Sequence, residues 1–111
     1  MALIFKKLAV AVPDAATEVY LQQLGWDGPV DVYVKNTGAV NFGGAGEGSL
    51  QAGPELAGPF VQIDSSLEGL LAGTTKVIRL TQAPEVLRLV LGGAAGATTA
   101  DIEVTAGNDG A

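Results

Sequence analysis

Period-two alternation, in which every second side chain shares a face, runs through four segments of this 111-residue chain. In "VDVYVK", residues 30–35, the three valines share one face and the polar residues and Tyr33 share the other. The same pattern recurs in "TTKVIRLTQ" (74–82), "PEVLRLVL" (84–91) and "TADIEVT" (99–105). Because successive side chains of a strand point to opposite faces, the alternation predicts four half-buried β-strands.

The N-terminal third carries weaker signals of the same kind. "LAVAV", residues 8–12, has two valines and Leu8 in phase, and a proline follows it, so it predicts a strand with Leu8 on the apolar face. The next segment predicts a strand over 17–21, although its composition also allows a short helix over 14–24. "GPFVQID", residues 58–64, predicts another strand.

Glycine is the second constraint, because sixteen glycines are about twice the usual share. The densest run, "NFGGAGEGS" (41–49), lacks the glycine spacing of a dinucleotide fingerprint and the Gly-Lys-Ser/Thr ending of a P-loop. It predicts a flexible loop between the strand at 30–35 and the strand that contains Phe60. Turn signals at short intervals elsewhere favour short antiparallel strands over a parallel sheet.

These patterns predict an all-β fold: a single antiparallel β-sandwich, immunoglobulin-like or jelly-roll-like, or a small barrel, with about seven to eight short strands. We expect one β domain over 1–111. Within it, residues 1–6 are expected to form an N-terminal contact arm and residues 106–111 a flexible tail.

Composition argues against several functions. The net charge is −6, and the six basic residues are scattered along the chain, so we expect no nucleic-acid partner. The chain has no cysteine and no histidine, which removes the thiolate nucleophile, the commonest general base and the commonest metal ligands. We therefore expect no catalytic residues, no metal site and no cofactor, and hence no enzyme. No apolar run approaches the length of a membrane helix, so we expect no membrane partner.

Two arginines, Arg79 and Arg88, stand in the middle of otherwise apolar strands. Each can lie on a solvated sheet face. Alternatively, each can pair with a carboxylate of a neighbouring subunit, since arginine is enriched where protein surfaces meet.

Four segments of the chain resemble the small structural proteins of tailed bacteriophages, especially capsid decoration or cement proteins. They are "VDVYVKNTGAVNF", "LAGPFVQID", "TTKVIRLTQ" and "ATTADIEVT". The resemblance covers residues 28–105 and is carried by a strand, an Asn-Thr-Gly turn, a Leu-Ala-Gly-Pro step and the closing strands.

The resemblance implies a non-enzymatic virion component on the outer surface of the capsid. Its partner would be the major capsid protein, bound by a homotrimer through several small contacts at once. The interface residues expected on this reading are Leu3, Ile4, Phe5, Arg79 and Arg88. The alternatives are another head or tail accessory protein of the virion, and an immunoglobulin-like surface or adhesion module of a prokaryotic protein.

Overall fold

The computed structural model describes residues 3–22 and 28–106, which form eight β-strands. The strands are β1 (Leu3–Val12), β2 (Thr17–Gln22), β3 (Val30–Asn36), β4 (Gly48–Gly53), β5 (Val61–Asp64), β6 (Thr75–Leu80), β7 (Val86–Leu91) and β8 (Thr98–Ala106). The described residues include no helix long and apolar enough to cross a membrane. The prediction of an all-β sandwich is confirmed.

The strands form two antiparallel sheets. Sheet A has the order β1-β8-β3-β6, and sheet B has the order β2-β7-β4-β5. The first half of the chain pairs with the second half to form one long ribbon. In this ribbon β1 pairs with β8, β2 with β7, β3 with β6 and β4 with β5. Rolling that ribbon brings β8 beside β3 and β7 beside β4. This is the eight-stranded jelly roll, so the topology is the second of the two sandwich types that the sequence allowed.

The core lies between the inner faces of the two sheets, as the alternation predicts. Val30, Val32 and Val34 are fully buried from sheet A, and Leu87, Leu89 and Leu91 are fully buried from sheet B. Each such side chain contributes about 1.5–3 kcal/mol relative to exposure to water. The period-two pattern therefore predicts correctly which face of these two strands turns inward.

Strand β1 corrects one detail of the prediction. Val10 and Val12 are buried, but Leu8 is 55% exposed instead of sharing their face. The pairing with β8 shifts register between Lys7 and Val10, and Ala9 lies in the left-handed region at φ 54°. A bulge of this kind inserts extra residues into one strand and reverses the face of those before it. The segment at 17–21 is a strand, β2, and not the alternative helix.

The glycine-rich segment is the larger correction. Its last residues begin strand β4, which the sequence reading missed. The strand predicted at 58–64 is the shorter β5, which begins after Phe60. The loop before β4 is tied to its surroundings by backbone hydrogen bonds. The amide of Gly43 donates to Gly92 O (2.8 Å), and the amide of Gly92 donates back to Glu47 O (3.1 Å). Phe42 beside it is buried in the core.

Close packing explains two glycines of this loop region. A Cβ on Gly43 or on Gly92 would overlap the carboxylate of Glu47, and the two glycines thus make room for that side chain. At these two positions glycine is needed for close packing more than for backbone flexibility.

The four connections β1–β2, β3–β4, β5–β6 and β7–β8 gather at one end of the sandwich, here called the loop-rich end. Asn36, the last residue of β3, is fully buried there. Its side-chain amide donates to Val40 O (2.9 Å) and Leu70 O (3.2 Å). Its side-chain oxygen accepts from the Thr98 hydroxyl (2.9 Å) and the Gly38 amide (3.2 Å). One side chain therefore joins three loops.

Candidate functional site

The outer face of sheet B carries a set of polar and aromatic side chains in contact with one another. Arg88, in the middle of β7, donates from Nε to Gln51 Oε1 (2.6 Å) and forms an ion pair with Glu18 (Nη1 to Oε2, 3.3 Å). Its guanidinium carbon also lies 4.0 Å from the centre of the Phe60 ring, which is a cation–π contact. Three neighbours thus hold the guanidinium in one position.

Tyr20 completes this set. Its ring meets that of Phe60 edge to face, with 6.0 Å between ring centres, and its hydroxyl donates to Glu18 (2.8 Å). We call Glu18, Tyr20, Gln51, Phe60 and Arg88 together the Arg88 cluster.

Strand register brings the cluster together. Arg88 lies directly opposite Tyr20 on β2 and opposite Gln51 on β4, so these three form one row across the sheet. Phe60 precedes β5 and reaches this row across Gly53. A Cβ on Gly53 would lie 2.8 Å from Cδ1 of the Phe60 ring, so only glycine leaves space for the ring there.

We expect Gly53→Ala to lower the free energy of unfolding by about 1–3 kcal/mol, because the added methyl group overlaps the Phe60 ring and the Pro59 carbonyl. Urea unfolding followed by circular dichroism measures the change. Gly44→Ala is the matched control, since a Cβ on Gly44 meets no atom within 4 Å. Equal stability of the two variants would contradict the packing described for Phe60.

Tyr20, Phe60 and Arg88 belong to the residue types that are enriched in protein interfaces. Their mutual contacts fix their positions, which reduces the entropy lost on binding. The arrangement is therefore suited to binding another protein.

The predicted interface residues do not form one site. Leu3, Ile4 and Phe5 begin β1 at an edge of sheet A, opposite the end of β8. Ile4 and Phe5 are half-buried and pack against the core. The expected arm over 1–6 is therefore, from Leu3 onward, part of a strand, and residues 1 and 2 lie outside the described residues. In the expected tail, Ala106 ends β8, and 107–111 lie outside the described residues.

Arg79 lies on β6, the other edge of sheet A, whereas Arg88 lies on β7 of sheet B. Its guanidinium is 3.4 Å from a carboxylate oxygen of Asp31, its direct cross-strand neighbour, which is buried. Both arginines thus pair with carboxylates of their own chain. Their contact with a neighbouring subunit stays a prediction.

The fold gathers basic residues that look scattered in the sequence. Five of the six lie on strands of sheet A, whereas seven of the ten described carboxylates lie elsewhere. The five are Lys6, Lys7, Lys35, Lys76 and Arg79. Sheet A is therefore the less acidic side of an acidic molecule.

The remaining carboxylates on sheet A have partners of their own. Asp101 accepts from the amide of Ala9 (2.9 Å), and Glu103 lies 3.6 Å from Lys6. Across residues 3–22 and 28–106, no group of three or more acidic, histidine or cysteine side chains could hold a metal ion.

Sequence reasoning found Arg88 but missed the other four residues of the cluster. The alternation places Arg88 and Tyr20 on outer faces, and this is the one signal that the sequence offers for their proximity. The approach of Phe60 depends on how the β4–β5 connection turns back over Gly53, and no local pattern encodes it. In the comparisons with known proteins, no family model, no curated protein and no solved structure matches this chain.

Proposed function

We propose that this protein is a non-enzymatic structural component of a bacteriophage virion, which binds the outside of the capsid shell as a decoration protein. The observation that carries the proposal is the Arg88 cluster. It is a preorganised surface of interface-type residues on an outer sheet face.

The partner that fits this surface is the major capsid protein. A shell repeats the same protein many times, so a small multivalent protein gains from each additional contact. We propose a homotrimer, in which three Arg88 clusters bind three equivalent positions on the shell. Several weak contacts then act together, because each bound cluster keeps the other two close to their sites.

Two further features support the proposal. The chain has few charged residues for its size, 16%, as suits a protein whose surface is covered by neighbours in a lattice. The jelly roll also occurs in viral capsid proteins, although the same fold serves lectins and cupins. The topology is therefore an argument by analogy, and the surface carries the proposal.

The test uses expanded, undecorated shells assembled from the major capsid protein of the same virus. We expect the purified protein to sediment with these shells and to saturate at a fixed ratio of copies to capsid subunits. The protein centrifuged without shells is the control and should stay in the supernatant. If the protein stays there when shells are present in excess, the decoration proposal is wrong.

A further inference from the structure

The exposed apolar side chains of this molecule concentrate on one side of the sandwich. Among the described residues, seven large apolar side chains are exposed, and four of them lie on β5, on β6 or in the loop between them. The four are Val61, Ile63, Leu71 and Val77. Val61 is the most exposed, at 65%.

Strands β5 and β6 are the edge strands of the two sheets on this side of the molecule. The opposite edge strands, β1 and β2, jointly line a cleft of about 530 Å³, so those two edges are neighbours across the sandwich. The sheet orders then place β6 and β5 together at the other side. We call β5, β6 and Leu71 the β5/β6 seam. Each of its strands has a hydrogen-bonded neighbour on one side only among the described strands.

We propose that the β5/β6 seam binds a second copy of this chain. An edge strand with exposed apolar side chains is a template for pairing with another strand. The inference concerns contacts between copies and goes beyond the binding of a shell.

Strand direction makes the seam complementary to itself. The chain runs along β5 toward the loop-rich end and returns from that end along β6, so the two strands are antiparallel. Rotation about an axis parallel to the strands leaves their directions unchanged. If the seam of every copy faces such a rotation axis, β6 of one copy lies beside β5 of the next, and the two strands are antiparallel. Two or three copies then form a closed ring.

Charge agrees with this pairing. Asp64 is the last residue of β5 and Lys76 is the second residue of β6, so both lie near the loop-rich end. Lys76 is exposed and has no ion-pair partner within the described part of the chain. In the arrangement above, Lys76 of one copy comes to the level of Asp64 of the next. Opposite charges at matching heights fix register and orientation between chains.

The experiment measures molecular mass by light scattering over a range of protein concentrations. We expect a mass of more than one copy for the unchanged chain. Val61→Asp should raise the concentration at half-assembly at least about ten-fold, because it places a carboxylate in an apolar contact. Lys76→Glu should raise it about three- to ten-fold, since it faces Asp64 of the next copy.

Two matched controls lie on the opposite edge strand, β1. Leu8→Asp changes a side chain that is similarly exposed, and Lys7→Glu reverses a similarly exposed lysine; neither should change the mass. A monomeric unchanged chain, or an assembly that the β1 variants disrupt and the seam variants do not, would overturn the inference. A dimer that Val61→Asp dissociates would support the seam and overturn the homotrimer of the proposed function. Shell sedimentation does not enter this test, so attachment to the shell and contact between copies fail separately.

Discussion

Asn36→Ala is expected to lower the free energy of unfolding by about 3 kcal/mol, the largest loss from a single polar side chain in this molecule. The substitution removes four hydrogen bonds at the loop-rich end and leaves the carbonyls of Val40 and Leu70 without this donor. The Thr98 hydroxyl and the Gly38 amide lose their acceptor. Urea unfolding followed by circular dichroism gives the value.

The neighbouring residue provides the control. Thr37 is exposed, and its hydroxyl makes one side-chain hydrogen bond, to Thr99 (2.9 Å). Water can replace that bond, so Thr37→Ala should cost less than about 1 kcal/mol. If Asn36→Ala lowers the free energy of unfolding no more than Thr37→Ala does, the buried amide does not hold the loops together.

Phe60→Ala is expected to give the largest loss of function, weakening attachment to capsid shells at least about ten-fold. The ring covers the Arg88 guanidinium and contacts Tyr20, so its removal both shrinks the surface and frees the arginine to move. Sedimentation of the variant with expanded shells at a series of concentrations measures the change.

Tyr33→Ala is the matched variant for this prediction. Tyr33 is also a half-buried aromatic residue on an outer sheet face, but it belongs to sheet A. The substitution should therefore leave attachment to the shells unchanged. The mass of the Phe60 variant should equal that of the unchanged chain, which separates shell binding from contacts between copies. Equal attachment by both variants would remove the Arg88 cluster from the proposed interface.

The candidate site shows how far local patterns reach. Arg88 stands out in the sequence because it interrupts an apolar strand, and the alternation predicts correctly that it points outward. Its partners come from three other places in the chain: Glu18 on β2, Gln51 on β4 and Phe60 before β5. Their proximity depends on which strands are neighbours, and strand order is a non-local property that alternation does not encode.

The glycine-rich segment shows the opposite error, in which a local signal is read too literally. Glycine density predicts a flexible loop, since glycine has the widest backbone freedom. In the folded chain Gly48 begins strand β4, where a Cβ would overlap the backbone nitrogen of Glu68. Glycine is needed there because another part of the backbone comes close. The sequence shows the glycine but not the segment that approaches it.

Side-chain period and turn residues act over a few residues, so the amino-acid sequence was enough to predict the all-β class, the inward face of most strands and the number of strands to within one. Four features follow only from the tertiary structure: the jelly-roll order, the bulge that exposes Leu8, the contacts around Arg88 and the position of β5 and β6 on the same open side. All of these depend on contacts between residues far apart in the chain, and the free energy of those contacts depends on the whole packed arrangement.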